Sequence, residues 1–177
     1  MRREEGLEAG GWGLGVGTEG TVAASKTSNS SLQPPVPSPD VLHVVAGALF
    51  DAHGHVLIAQ RPPGKHMAGG WEFPGGKVDG DETPLAALIR ELREELNIDV
   101  HAAEPVVAYL HHYPDRSVLL DLWLVTQYTG MPVAAEGQPL RWVAVEDLDR
   151  CGLLDADRPM IEPLKRAGGR RLGAGGF

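Results

Sequence analysis

Glu91, Glu94 and Glu95 stand three and four residues apart in the run Arg90-Glu91-Leu92-Arg93-Glu94-Glu95-Leu96. On a helix that spacing sets side chains along one face, where like charges repel unless something positive sits among them. Hard divalent cations take carboxylate oxygens, and Mg²⁺ binds through one or two carboxylates together with substrate phosphates. Just upstream, Gly75-Gly76-Lys77-Val78-Asp79-Gly80-Asp81-Glu82 opens with a glycine pair, which lets backbone approach a ligand closely. The joint reading is a metal site built to hold a phosphorylated substrate. Taken alone, the glutamates fit a solvated, charge-laced surface helix equally well. The glycine loop beside them favours the site.

The elements that must position these groups are legible. Thr83-Pro84 reads as an N-cap followed by a first-turn proline. Leu85, Leu88, Leu92 and Leu96 recur at helical spacing and predict an apolar stripe. At about 100° per residue the glutamates fall beside that stripe. Arg90 lies four residues before Glu94, an ion-pair spacing. Asn97 stands where a left-handed residue closes a helix, so the helix is predicted over Pro84–Leu96. Strands are predicted at His43–Phe50 and His55–Arg61, paired as a hairpin across Asp51-Ala52-His53-Gly54. Further strands are expected at Trp71–Phe73, Val106–His112, Val118–Tyr128 and Arg141–Ala144. Tyr113-Pro114-Asp115-Arg116 reads as a turn, and a closing helix is expected over Pro159–Arg166. That helix contains Pro163, tolerable only within its first turn. Trp71, Trp123 and Trp142 read as core residues.

A chain of 177 residues allows one domain with tails. Its formal charge of −8 argues against a broad nucleic-acid surface but not against nucleotides, whose charge a bound metal can meet. The lone Cys151 rules out an internal disulfide and fits a reducing compartment, and no apolar run reaches transmembrane length. Residues 1–40 are rich in Gly, Ser, Thr and Pro and lack core periodicity, which predicts a disordered extension. Residues 41–167 form the expected domain, and 168–177 a flexible glycine-rich tail.

Gly76, Glu82, Arg90-Glu91-Leu92, Glu94-Glu95 and Asn97-Ile98, at those offsets, resemble the Nudix box of the Nudix hydrolases. Asn97 is the one departure, where that family usually has Gly. The resemblance to the MutT branch continues through Arg61, His66-Met67-Ala68, Glu72-Phe73-Pro74-Gly75-Gly76-Lys77, Tyr113-Pro114-Asp115-Arg116, Trp123-Leu124-Val125, Glu136-Gly137-Gln138-Pro139 and Pro159. It implies an α+β fold, a Nudix-type mixed β-sheet sandwiched between helices. It also implies a cytoplasmic, Mg²⁺-dependent pyrophosphohydrolase, with Mn²⁺ as a substitute metal. Such an enzyme cleaves nucleoside triphosphates such as 8-oxo-dGTP to the monophosphate and pyrophosphate. The expected partner is a small-molecule nucleotide, with no nucleic-acid polymer and no membrane, and the protein is expected to be a monomer. Two alternatives stand beside this reading. One is a Nudix hydrolase of another nucleoside diphosphate derivative, such as an ADP-sugar or a dinucleoside polyphosphate. The other is a catalytically silent nucleotide sensor.

The resemblance also distributes roles. Glu91, Glu94 and Glu95 are expected metal ligands, joined by the Gly75 or Gly76 carbonyl and by Glu136 from a distant loop. Glu91 and Glu136 both remain candidates to accept the proton of the attacking water. Arg90 and Glu82 would orient the ligands. Arg61 and Lys77 are the expected cationic contacts to phosphate or to the acidic cluster, and His66 and Glu72 complete the substrate-binding candidates. Arg116 matches the position of a base-reading Arg, and Asp157 stands where that branch has a base-reading Asn. A carboxylate accepts hydrogen bonds and donates only when protonated, so Asp157 leaves the base open. A helix N-cap is an alternative role for it.

Overall fold

The computed structural model describes residues 41–174, with side chains to 168. The expected extension 1–40 and the last residues of the expected tail lie outside the described residues. In chain order the elements are β1 (Val41–Ala48), β2 (His55–Gln60), β3 (Trp71–Glu72), β4 (Gly75–Lys77), α1 (Pro84–Leu96), β5 (Asp99–His112), β6 (Ser117–Thr129), β7 (Leu140–Ala144) and α2 (Ile161–Ala174). Two 3₁₀ segments, Val145–Arg150 and Arg158–Met160, lie between β7 and α2.

The strands form a four-stranded mixed sheet in the order β4-β1-β6-β5 and a three-stranded sheet in the order β3-β2-β7. β1 runs parallel to β6, with Val45 opposite Asp121, and antiparallel to β4, with Val45 opposite Gly76. Alternation along β1 and β6 splits the core in two. Ala46, Ala48, Val118, Leu120, Leu122 and Leu124 pack with Met160, Ile161 and Leu164 of the C-terminal segment. Val45 and Val125 pack instead with Ala87, Leu88, Leu92 and Leu96 of α1. The large sheet therefore lies between helices, as the resemblance implies. Gly47 lets α1 seat closely, since a Cβ there would lie 2.8 Å from a Leu92 methyl.

α1 is bounded as its sequence predicts. Thr83 Oγ accepts from the Ala86 N–H at 3.2 Å, and Asn97 closes the helix in the left-handed region at φ 54°. Leu85 departs from the expected stripe. It lies in the first turn and is 37% exposed, while Leu88, Leu92 and Leu96 are buried.

The hairpin of β1 and β2 is corrected. Both edges of β1 are taken by β4 and β6, and β2 pairs with β3 and β7 in the other sheet. Only the corner joins them, through the Phe50–Val56 bridge and the Leu57 N–H to Leu49 carbonyl bond. β4 replaces part of the expected glycine loop, because Gly75 and Gly76 pair with Ala46 and Val45. α2 begins as a 3₁₀ turn and carries Pro163 in its own first turn. It runs on to Ala174, so the expected boundary at residue 167 falls inside it. Trp71 is half-buried beneath the Arg141 guanidinium, 4.1 Å from its ring centroid.

Candidate active site

A cavity of about 510 Å³ opens between the α1–β4 wall and the C-terminal segment. One wall carries Gly75, Gly76, Lys77, Asp79, Glu91 and Glu95. Arg61, Lys65, His66, Glu72, Phe73, Tyr113, Arg116, Glu136 and Asp157 also line it. Thirteen of the fourteen residues singled out from sequence border this space or brace it: Glu91, Glu95, Glu136, Gly75, Gly76, Arg61, His66, Glu72, Lys77, Arg116 and Asp157 by lining it, Arg90 by holding Glu91, and Glu82 by holding Arg90. Glu94 is 57% exposed and does not line the cavity, though it reaches the same Arg90 nitrogen as Glu91.

Arg90 organises the acidic wall. Its guanidinium donates through Nε and Nη2 to both oxygens of Glu82 at 2.9 Å, and through Nη1 to Glu91 Oε1 at 2.9 Å. It also caps the Lys77 carbonyl at 2.9 Å and stands 3.5 Å from Glu94. Those bonds from Glu82 and Glu91 push the Arg90 pKa further up and fix the guanidinium as a charged brace. Glu95 Oε2 accepts from the Gly75 N–H at 2.9 Å. Burial pushes the Glu95 carboxyl up to about 7. The Gly75 N–H opposes that rise, and repulsion from Glu72, Glu136 and Glu91 adds to it.

These carboxylates suit a divalent cation in donor type. Their oxygens are hard, their charges repel, and Gly76 leaves space beside Glu91 that a side chain would fill. They line the wall without converging: among the described residues no three acidic, imidazole or thiol groups form one coordination cluster. Arg90 Nη1 is shared between Glu91 and Glu94, and Glu136 turns toward Lys65 at 3.9 Å.

The two glycines differ in what they protect. A Cβ on Gly75 would lie 2.1 Å from the Val45 carbonyl oxygen, with φ at 150°. A Cβ on Gly76 would lie 2.3 Å from the Glu91 carboxyl carbon, and its three nearest atoms all belong to that side chain. Gly75→Ala is therefore expected to cost about 1–3 kcal/mol of stability. Gly76→Ala should leave Tm near that of the parent and weaken divalent-ion binding by displacing Glu91. Thermal melts and a Mn²⁺ titration of the two variants check this contrast; equal Tm losses would refute it.

Asp157 is buried, 7% exposed. Its Oδ2 accepts from the Phe73 N–H at 3.0 Å. Desolvation pushes its carboxyl up to about 7; the Phe73 N–H opposes this, Glu72 adds to it, and Arg61 offsets part. The N-cap alternative is overturned, because Asp157 makes no side-chain cap bond to the turn it precedes. Arg61 is already engaged, donating to Glu72 at 2.7 Å and to the His66 carbonyl at 2.9 Å. Burial raises the Glu72 carboxyl, and Arg61 pulls the other way. Arg116 pairs with its neighbour Asp115 at 3.0 Å. Tyr113 stands edge-on between His66 and His111, with centroids at 6.1 and 4.5 Å.

Sequence reasoning did not single out Lys65, Asp79, Phe73, Tyr113 or Gln138 as site residues. Phe73 enters through its backbone N–H, and no side-chain pattern signals that. Lys65 becomes visible only when its loop folds against the one carrying Glu136.

The NUDIX domain family model matches residues 45–163. The 8-oxo-dGTP diphosphatase of Escherichia coli strain K12 is 35% identical over 125 residues, 71% of this chain and 97% of the relative. The CTP pyrophosphohydrolase of the same strain is 40% identical over 118 residues, 67% of this chain and 87% of the relative. Among solved structures, the solution structure of the E. coli ORF135 protein aligns with a TM-score of 0.65 at 38% identity, covering 75% of this chain and 94% of that one.

Proposed function

The chain belongs to the NUDIX family, and from that premise we propose that it is a MutT-type pyrophosphohydrolase of nucleoside triphosphates. Oxidised deoxynucleotides such as 8-oxo-dGTP are its substrates, and its role is nucleotide-pool sanitation. The observation that carries this reading is one cavity lined by two chemically distinct sets of groups, the carboxylates of Glu91 and Glu95 and the buried, hydrogen-bonded pair Phe73 and Asp157. The first suits a polyphosphate with its counter-ion, and the second a nucleobase edge. No helix among the described residues is long and apolar enough to cross a membrane.

Family members require a divalent metal, and we read it as Mg²⁺, with Mn²⁺ able to substitute. Glu91, Glu94, Glu95, Glu136 and the Gly75 or Gly76 carbonyl would hold it. When bound, such an ion neutralises phosphate charge and lowers the pKa of a coordinated water. The chain's own residues do the rest. Phosphoryl transfer asks a protein for positioning and charge balance more than for covalent chemistry. Arg90 fixes the Glu91 carboxylate against Gly76. Lys77 and Arg61 supply positive charge at the cavity wall. Water attacks the β-phosphorus, the β–α bridging oxygen leaves with the monophosphate, and pyrophosphate is released. Glu91 or Glu136 takes the water's proton.

A second reading concerns the base alone. A desolvated carboxylate facing the base accepts from an exocyclic amine, which extends the substrate range to cytidine triphosphates. The CTP pyrophosphohydrolase relative supports it. A panel of 8-oxo-dGTP, dGTP, dCTP, CTP, dUTP and ADP-ribose with Mg²⁺ tests both readings. The expected product is pyrophosphate rather than phosphate, with 8-oxo-dGTP or dCTP ahead of the others by at least about tenfold in kcat/KM. Preference for ADP-ribose would overturn the triphosphate reading.

A further inference from the structure

Among the described residues three polar or charged side chains are buried: Asp121, Asp157 and Gln138. Gln138, 5% exposed, has no place in the reaction as described. We propose that Gln138 is a positioning residue that holds the loop carrying Glu136 in register with Glu95, so that the two carboxylates can share one cation. The proposal rests on the reading of the acidic wall given above.

The geometry is specific to an amide. Gln138 Oε1 accepts from the Glu136 N–H at 3.0 Å, and its Nε2 donates to the Glu95 carbonyl at 2.9 Å. One side chain thus bridges the backbones of two expected cation-binding residues 41 positions apart. The Glu95 carbonyl is available because the last carbonyls of a helix lack intrahelical partners. Ala135 donates to the same oxygen at 3.0 Å, and Val133 donates to the Leu96 carbonyl at 3.0 Å. The loop between β6 and β7 is therefore docked on the C-terminal end of α1, and Gly137, at φ 76°, turns it back toward Gln138. The Glu136 side chain stays half exposed and 3.9 Å from Lys65. Its backbone is held while its carboxylate is free to exchange a lysine for a cation. Neither a carboxylate nor an apolar side chain can replace Gln138 fully. Glu supplies no donor for the Glu95 carbonyl, and Leu leaves the Glu136 N–H without this acceptor and the Glu95 carbonyl with the Ala135 N–H alone.

The test is Mn²⁺ binding to the metal-free full chain, read by the EPR signal of free Mn²⁺, with Tm measured alongside. Q138A is expected to weaken Mn²⁺ binding by about 10–100-fold, the usual effect of losing a group that orients a ligand. E136A should weaken it comparably, and the double variant E136A/Q138A should be no weaker than E136A. That non-additivity is what a general loss of packing would not give. At saturating Mn²⁺, Q138A should recover most of its kcat, whereas E136A should not. Should Q138A fail to fold, Q138M, which keeps the length of the side chain but removes its amide donor and acceptor, takes its place in the same cycle. Parental Mn²⁺ affinity in the Gln138 variant, or losses that add in the double variant, overturns the proposal. Unchanged affinity in E136A also overturns it by removing Glu136 as a ligand. Unchanged affinity in E91Q is a different result, because it removes the acidic wall itself.

Discussion

Glu95→Gln is expected to lower kcat by about 10²–10⁴-fold while Tm stays level or rises. The carboxylate is isosteric with the amide that replaces it, and an amide oxygen can still accept from the Gly75 N–H now bonded at 2.9 Å. What disappears is charge. Burial, and repulsion from Glu72, Glu136 and Glu91, already disfavour the ionised form, with the carboxyl held at about 7. A fold that resists an ionised side chain and keeps it is spending stability on something other than packing. A divalent cation is the group that would reverse that penalty, since each carboxylate it draws in relieves the repulsion among the rest. Glu91→Gln should show the same separation of rate from stability, though with a smaller gain in Tm, because Arg90 Nη1 loses a charged partner at 2.9 Å. Steady-state kinetics at saturating Mg²⁺ beside thermal melts in EDTA provide the measurement. Parental turnover in both variants would remove the metal-assisted mechanism.

The helix could be read to the residue and the site could not, for a physical reason. Thr83, Pro84, the leucine stripe and Asn97 act within one or two turns of chain, and local rules describe them. Glu91 and Glu95 share that locality, so their common face followed from spacing and the glycine loop beside them, whereas the same spacing did not show that Glu94 stays off the cavity. Pairing partners are non-local. β1 offered the same alternation whether it paired with β2 or with β4 and β6, and only the closed sheet decides between them. Lys65, Glu136 and Gln138 meet across loops that no periodicity links. Arg61 was legible as a cation at a strand end but not as one already committed to Glu72. Asp157 was legible through the resemblance, and its burial and its bond to Phe73 required the fold.

Asp157→Asn is expected to abolish a pH-dependent base preference. The carboxylate is buried, with one oxygen bonded to the Phe73 N–H, and it borders the cavity. Burial raises its pKa most, the Phe73 N–H opposes that, Glu72 adds to it, and Arg61, itself bonded to Glu72, offsets part. Tyr109 and Tyr113 lie close enough for Asp157 to help raise their own pKa values, and the Tyr109 hydroxyl is donated to the Ala156 carbonyl. With a carboxyl at about 7, Asp157 changes from donor-capable to acceptor-only near neutral pH. The cytosine N4 amine donates and the corresponding O4 of a uracil or thymine accepts. Raising the pH from about 6 to about 8 should therefore increase the dCTP to dUTP ratio of kcat/KM on the order of tenfold, the worth of one such bond. In Asp157→Asn, which both donates and accepts at every pH, the ratio should be flat. Stability gives an independent check on the same titration. The folded carboxyl keeps its proton up to about 7 while an unfolded Asp loses it near 3.8. The native state thus binds more protons across that window, and its stability falls as pH rises through it. In Asp157→Asn that decline should be smaller, by at most a few kcal/mol at about 1.4 kcal/mol per pKa unit. A base ratio independent of pH in the parent enzyme would show that Asp157 does not read the base.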